Sequence, residues 1–136
     1  MSKSNVTEIE EEKQIESSIV QHFICQVSKK NHDAMLQIAK QANEIARKYG
    51  ALRVEYFQLS STENMIDWTN ISKTVSANQD EEEVWMEQVF YRDSKHRDEY
   101  MAMCGNDENM NRLYKQFMNL IIPGSAIVGE FSRLKV

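Results

Sequence analysis

The segment at 83–92, with the sequence EVWMEQVFYR, constrains the fold more than any other part of the chain. Its branched and aromatic residues are typical of a β-strand, in which successive side chains point to opposite faces of a sheet. Large apolar side chains then occupy both faces, with one set formed by Val84, Met86 and Phe90 and the other by Trp85, Val89 and Tyr91. We therefore predict a strand whose sheet needs cover on both faces.

A helix is predicted between Asn31 and Gly50. Asn31 is a good N-cap, because its side chain can accept a hydrogen bond from the free backbone donors of the first turn. Gly50 can end the helix in the left-handed conformation. Between them, apolar residues recur at steps of three and four, namely Met35, Ile38, Ala42, Ile45 and Tyr49. This spacing is typical of a helix that packs by one face.

The order of the remaining patterns predicts the topology. Further strands are predicted at 19–27, 51–59 and 125–134. A second helical region follows the strand at 83–92 and ends before Pro123, which cannot continue a helix. The order strand, helix, strand, strand, helix, strand is the βαββαβ arrangement of ferredoxin-like α+β folds, an antiparallel sheet with its helices on one face.

Helices on one face leave the other face of the sheet open. Because apolar side chains are predicted there, a monomer would expose them to water. A second copy of the chain can cover them, and symmetric dimers are the commonest assemblies of soluble proteins. We therefore predict a homodimer that pairs the two sheets.

Two segments fall outside this pattern. Residues 1–16 form a polar, acidic N-terminal tail, and residues 17–136 are predicted to form a single ferredoxin-like domain. The connection at 60–82 is long for a compact domain. We expect it to be partly helical or functional.

Charge and cysteine content exclude several classes of protein. The net charge is -5, and most of it lies in the acidic tail, so we expect no basic stripe and no nucleic-acid partner. Two cysteines are too few for a disulfide framework, which indicates a reducing, cytoplasmic location. The longest aliphatic run, at 120–122, is far too short to cross a membrane, and we expect no membrane partner.

Three stretches carry a family resemblance. They are KKNHDAMLQIAKQANEIARKYGALRVEYF at 29–57, RDEYMAMCGNDENM at 97–110, and the Gly-Glu-Phe at 129–131. Together they resemble the YbaA-like family of small uncharacterised bacterial proteins. The resemblance implies a dimeric α/β barrel made of paired sheets, and it implies no established activity.

This chain departs from the family pattern at three places. Gln21 stands where the family has an acidic residue, His22 stands where it has glycine, and Tyr56-Phe57-Gln58 stand where it has Glu-Cys-Trp. Any site that the family builds on those residues is absent here.

Three residues are candidates for acid/base catalysis. His22 lies on the first predicted strand, and Glu55 and Glu87 lie in the middle of two others. Burial inside a closed barrel would shift their pKa values and make them useful proton donors or acceptors. The alternative is structural, with a satisfied or partly exposed histidine and carboxylates that face water or pair with Arg53 at a dimer seam.

Candidate ligand contacts are Arg53, Trp85 and Gln88, which lie beside those residues on the same strands. The aromatic group around Trp85 also suits an ordinary core, and Cys25 in its apolar run is interpreted as core. His22, His32 and His96 have no partners at metal-ligand spacing, so neither a metal site nor a cofactor is expected.

These residues leave three hypotheses open. The first is a homodimeric protein that binds a small organic ligand between its helices and sheet. The second is a cofactor-independent oxygenase or isomerase, the kind of enzyme found among dimeric α/β barrels, with the proton transferred by one of the three acid/base candidates. The third is an interaction protein that acts through its surface, which predicts a filled interior.

Overall fold

The computed structural model of the chain describes residues 17–75 and 80–136. Its strands are β1 (Ile19–Ser28), β2 (Arg53–Gln58), β3 (Glu82–Tyr91) and β4 (Ile127–Ser132). They form a four-stranded sheet in the order β2-β3-β1-β4, and each neighbouring pair is antiparallel. The predicted α+β, ferredoxin-like fold is confirmed. The predicted acidic tail at 1–16 lies outside the described residues.

The helices follow the predicted order, and the second helical region is two helices. They are α1 (His32–Lys48), α2 (Ser72–Val75), α3 (Ser94–Gly105) and α4 (Glu108–Leu120), and a single 3-10 turn (Lys29–Asn31) precedes α1. Aspartates cap the two later helices. The side chain of Asp93 accepts a hydrogen bond from the backbone N–H of His96, and Asp107 accepts one from Met110.

The side chain of Asn31 was predicted to cap α1, and this prediction is wrong. Its side chain makes no bond to the first turn of the helix and donates instead to the backbone carbonyl of Leu120, at 3.2 Å. The amide is thereby used to tie the start of α1 to the end of α4. Gly50 does end this region in the left-handed conformation, with φ of 88°, as predicted.

The strand register assigns each residue to a face of the sheet. Cys25 of β1 pairs with Trp85 of β3, and both belong to the core beneath the helices. The next residue along each strand faces the other way. His22 of β1, Gln88 of β3 and Glu55 of β2 are therefore neighbours in one row across the opposite face. No long helix of the part of the chain that the structure describes lies on that face, and we call it the open face.

Two apolar clusters hold the helices on the sheet. The larger one joins β1 and β3 to α1 and α4, through Cys25, Val27, Met35, Ile38, Trp85, Leu113 and Ile121. The other consists of Ala46, Val89, Tyr91 and Tyr100. The predicted assignment of β3 is confirmed, because Trp85, Val89 and Tyr91 all lie on the helix side.

The open face is covered only at one end by the described residues. The side-chain amide of Gln26 donates to the carbonyl of Val75, so the short helix α2 lies against this end, and Val84 there is buried. Elsewhere Phe57, Ile127 and Phe131 are 44%, 50% and 54% exposed. The predicted dimer partner for this face stays a prediction.

No helix within the described ranges is long and apolar enough to cross a membrane.

Replacing Leu113 by alanine tests the larger cluster. Its side chain is 1% exposed, and truncation leaves a cavity among packed neighbours, so we expect the free energy of unfolding to fall by about 3 kcal/mol. Urea denaturation measures this change. The control is Leu134→Ala, at a side chain that is 79% exposed, which should change stability by less than about 0.5 kcal/mol. Equal effects of the two variants would contradict the packing.

Candidate ligand cavity

A cavity of about 500 Å³ lies between the sheet and helices α1, α3 and α4. Its walls are mostly apolar and come from both clusters, with Trp85 and Tyr91 from the sheet and Ala42, Leu113 and Phe117 from the helices. Cavities of this size and character are typical of small-molecule sites. The hypothesis of a protein that acts only through its surface predicts a filled interior, and the space between the sheet and these helices is instead a cavity.

The cavity contains one carboxyl group, that of Glu87, among its lining side chains. Glu87 lies on β3 directly opposite Tyr56 of β2 in the register, and the two side chains form a hydrogen bond. Burial raises the pKa of Glu87, and the bond to Tyr56 offsets only part of that effect. The neutral, protonated carboxyl is therefore favoured over a wider pH range than in an exposed glutamate.

The pKa of Tyr56 is raised as well. Burial raises the pKa of its phenol, and the neighbouring Glu87 carboxyl raises it further. Tyr56 therefore keeps its proton and can donate it in the hydrogen bond to Glu87. A protonated Glu87 can accept that bond on one oxygen and donate from the other.

A second group of polar side chains lies on the β4 side of the cavity, where Gln21 and Tyr91 form part of the wall. The Tyr91 hydroxyl donates to Oε1 of Gln21 at 2.8 Å, and Nε2 of Gln21 donates to Oε1 of Glu130 at 3.2 Å. Nη1 of Arg97 donates to the other oxygen of Glu130 at 2.7 Å. These bonds fix the orientation of the Gln21 amide and satisfy both of its polar ends. Gln21 is therefore a rigid part of the wall.

The two cysteines that line the cavity are poor nucleophiles. Burial raises the pKa of the Cys25 thiol to about 11, and the nearby Glu87 adds to this effect. Burial also raises the pKa of Cys104, although a hydrogen bond from Tyr100 acts the other way. Because the thiolate is the reactive form, covalent chemistry at these thiols is disfavoured. Cys25 is core, as predicted.

The cavity opens beside β4. Its exposed lining residues are Val128 of β4, Tyr114 of α4 and Met101 of α3, which are 66%, 62% and 51% exposed. Met118 of α4, also part of the lining, is 41% exposed. We call these four residues the mouth, and Ile127 borders it from the open-face side of β4.

The predicted site residues divide between the two faces of the sheet. Glu87 and Trp85 line the cavity, and Nε1 of Trp85 donates to Oε1 of Glu83 at 2.8 Å. His22, Gln88, Glu55 and Arg53 lie on the open face. A side chain of one group cannot act with a side chain of the other within one chain, because the sheet separates them.

The open-face group makes its own contacts. The His22 and Gln88 side-chain nitrogens lie 3.5 Å apart, and the His22 ring lies 5.0 Å from that of Phe131. Arg53 pairs with Glu55 and stacks over the ring of Phe90. This is the predicted pairing of Arg53 with a carboxylate, and whether it lies at a dimer seam stays a prediction.

Tyr56, Tyr91 and Gln21 were not predicted as site residues. Tyr56 alternates with Val54 on the predicted strand, which places it on one face, but its partner depends on the register of β2 against β3. A long connection joins these strands, so no short turn sets that register. The same applies to Gln21 and Tyr91, which meet through the pairing of β1 with β3.

Within residues 17–75 and 80–136, no three His, Cys, Asp or Glu side chains are grouped so that they could hold a metal ion.

Replacing Glu87 by glutamine tests the buried carboxyl. Its raised pKa means that, as pH rises through the ordinary glutamate range, the unfolded chain loses this proton while the folded chain keeps it. The wild-type protein therefore loses stability with rising pH until the folded-state pKa is passed. Each unit of pKa difference corresponds to about 1.4 kcal/mol. We expect the stability of Glu87→Gln relative to wild type to increase steadily as pH rises from 4 to 8.

Urea denaturation across this pH range measures the gain. The control is Glu99→Gln, at an exposed carboxylate on α3, which should show no comparable trend. A constant difference between Glu87→Gln and wild type at every pH would show that Glu87 titrates alike in both states, against this assignment.

Known structures share this fold at low sequence identity. A conserved protein of unknown function from Bacteroides thetaiotaomicron, described as a possible oxidoreductase, has a TM-score of 0.54 at 11% identity and covers 87% of this chain and 99% of its own. A NIPSNAP family protein from Agrobacterium tumefaciens has a TM-score of 0.54 at 16% identity and covers 87% of both chains. A conserved protein from Methanosarcina mazei has a TM-score of 0.55 at 6% identity, over 89% of this chain and 99% of its own.

These identities support the fold and nothing about activity. No curated protein matches the sequence. Residues 18–120 match the family described as "Protein of unknown function (DUF1428)". The matched part includes β1 to β3 and all the helices named above, with most of the cavity wall. Because it spans well over half of the sequence, the chain belongs to the DUF1428 family.

Proposed function

We propose that this protein binds a small, largely apolar organic molecule in the cavity between its helices and sheet, and that it does so as a homodimer. The observation that carries the proposal is the partly buried Glu87 carboxyl, hydrogen-bonded to Tyr56 and facing an apolar space of about 500 Å³. A purely structural core gains nothing from a carboxyl group placed against empty volume. A ligand that accepts a hydrogen bond from it would use that group.

The chemistry of the wall narrows the class of ligand. A protonated Glu87 donates a hydrogen bond, so the matching group is an acceptor such as a carbonyl oxygen. An anionic ligand is disfavoured, because no lysine or arginine is found among the described residues that line the cavity. Aromatic rings and the flexible Met35 and Met110 form much of the remaining wall and suit a planar apolar body. We therefore propose a neutral carbonyl compound.

Filling the cavity tests this proposal. Ala42 of α1 lines the cavity, and Ala42→Trp should occupy the space that a ligand needs. The probe is N-phenyl-1-naphthylamine, a neutral dye that fluoresces in apolar surroundings. We expect the wild-type protein to bind the dye and the variant to lose at least about tenfold in affinity, which corresponds to about 1.4 kcal/mol.

Ala34→Trp is the matched control, because it makes the same change on the exposed face of the same helix and should leave dye affinity unchanged. Circular dichroism of both variants checks that each is folded. Equal dye binding by wild type and Ala42→Trp would contradict the cavity as the binding site.

The homodimer is proposed from the open face. Phe57, Ile127 and Phe131 are each about half exposed there, and sheet pairing with a second copy would bury them. The test is Phe57→Glu, which places a charge on that face and should shift the protein from dimer to monomer in sedimentation at micromolar concentration. Met103→Glu is the control, since Met103 has nearly the same exposure, 41% against 44%, on a helix. A wild-type monomer would contradict the dimer.

A second candidate function is acid/base catalysis in the same cavity, as an oxygenase or isomerase that needs no cofactor. The raised pKa of Glu87 favours it, since a carboxyl group that is half ionised nearer to neutral pH transfers protons well. A solved structure with this fold is described as a possible oxidoreductase. Any turnover of a carbonyl compound should then fall by at least about 100-fold in Glu87→Gln. His22→Ala, on the other face, should keep it.

Two finer assignments belong to this proposal. The likeness to YbaA-like proteins rests on the stretches at 29–57, 97–110 and 129–131, most of which lie within the matched family region. A cytoplasmic location is supported by Cys25 and Cys104, which are both free thiols and suit a reducing compartment.

A further inference from the structure

The connection between β2 and β3 displays a group of exposed apolar side chains. Met65, Ile66 and Trp68 are 68%, 93% and 78% exposed. Ile66 has φ of 54°, a conformation that is costly for a branched residue. The backbone N–H of Trp68 donates to the carbonyl of Met65 at 2.8 Å and closes a tight turn. We call residues 65–68 the tip.

Asn70 holds the base of the tip in place. Its Nδ2 donates to the carbonyls of Ser61 and Glu63, at 3.0 and 2.9 Å, and its Oδ1 accepts from the backbone N–H of Ser72. Its own backbone N–H donates to Oδ1 of Asn64 at 2.8 Å. Several hydrogen bonds thus stabilise a turn that presents apolar side chains to water. Grouped exposed apolar side chains of this kind are typical of interaction sites.

The topology brings the tip to the same end of the sheet as the mouth of the cavity. The tip follows the end of β2 at Gln58, which pairs with Trp85 and hence lies level with Cys25 of β1. The mouth lies at the start of β4, where Ile127 pairs with Ile24. Because β2 and β4 are the two edge strands, tip and mouth lie at one end but on opposite edges.

A symmetric dimer can join these two edges. If two open faces pack about an axis parallel to the strands, each β4 lies opposite the partner's β2. That axis keeps the two ends of the sheet in register, so the partner's tip arrives at the same end and the same edge of the sheet as the mouth. An axis across the strands would carry the partner's tip to the opposite end.

We propose that the tip of each protomer closes the mouth of its partner's cavity. The inference rests on the proposed dimer and the proposed ligand site, and it makes each site incomplete without the second copy. The apolar tip matches the apolar mouth. Asp67 in the tip is opposite in charge to Lys115, which adjoins Tyr114 on α4.

Cross-linking between differently tagged chains tests the geometry. Protein with Asp67→Cys is mixed with protein carrying Lys115→Cys, and a short bismaleimide is added. We expect a cross-linked heterodimer. The control partner is Lys95→Cys, at the start of α3 and therefore at the opposite end of the sheet from the tip. Cross-linking of Asp67→Cys to Lys95→Cys and not to Lys115→Cys, or to neither, would overturn the proposal.

Dye binding tests the role of the tip in the site. Trp68→Ser should remain dimeric in sedimentation yet bind N-phenyl-1-naphthylamine about tenfold more weakly, with faster release, because the mouth stays open. Ile71→Ser, at an exposed position nearby, should behave as wild type. A dimeric Trp68→Ser with wild-type dye affinity and release rate would overturn closure by the tip. Absence of dye binding in wild type would instead remove the ligand site on which the inference rests.

Discussion

The antiparallel pairing of β3 with β1 and β2 is the constraint on which the rest of this structure depends. Side chains alternate along a strand, so a slip of one residue would exchange the two faces of β3. In the observed register, Glu87 meets Tyr56 and faces the cavity, while Gln88 meets His22 and faces the other way. Two polar residues that are adjacent in the sequence thus lie on opposite faces of the sheet, one in the cavity and one on the open face. Buried apolar residues on either side of them anchor that register, with Trp85 and Val89 on the helix side and Val84 at the covered end of the open face.

Placing Glu87 in the cavity works against stability. A carboxyl group taken from water into apolar surroundings resists ionisation. If it were ionised, it would find no compensating cation among the cavity-lining residues that the structure describes. The Tyr56 hydroxyl offsets a part of this cost. An apolar residue of the same size would be better tolerated if the cavity were only a defect in the core. A carboxyl group at this position, despite its cost in stability, is what one expects of a site that binds a ligand.

Much of the fold could be predicted from the residue pattern, and less of the site. The periodicity of apolar residues indicates the strands and helices, because burial of one face imposes it. The apolar residues on both faces of β3 further predict that the sheet face without helices also needs cover. Asn31 was wrong as a cap, since its side chain bonds to Leu120, a residue distant in sequence. Likewise Glu87 was a candidate from its place on a strand, but Tyr56 was not. Contacts between distant strands depend on register, which no local pattern specifies.

Carbon-13 NMR of the Glu87 carboxyl is the measurement that tests the central claim most directly. Protein labelled at its glutamate side-chain carboxyls would be titrated, with Glu87→Gln supplying the assignment. The account predicts a carboxyl resonance, absent from the variant, that keeps the chemical shift of the protonated form well above the ordinary glutamate pKa of about 4.3. If instead Glu87 titrated together with the exposed glutamates, the carboxyl would be hydrated and ionised, and the proposed hydrogen-bond donor to a ligand would not exist.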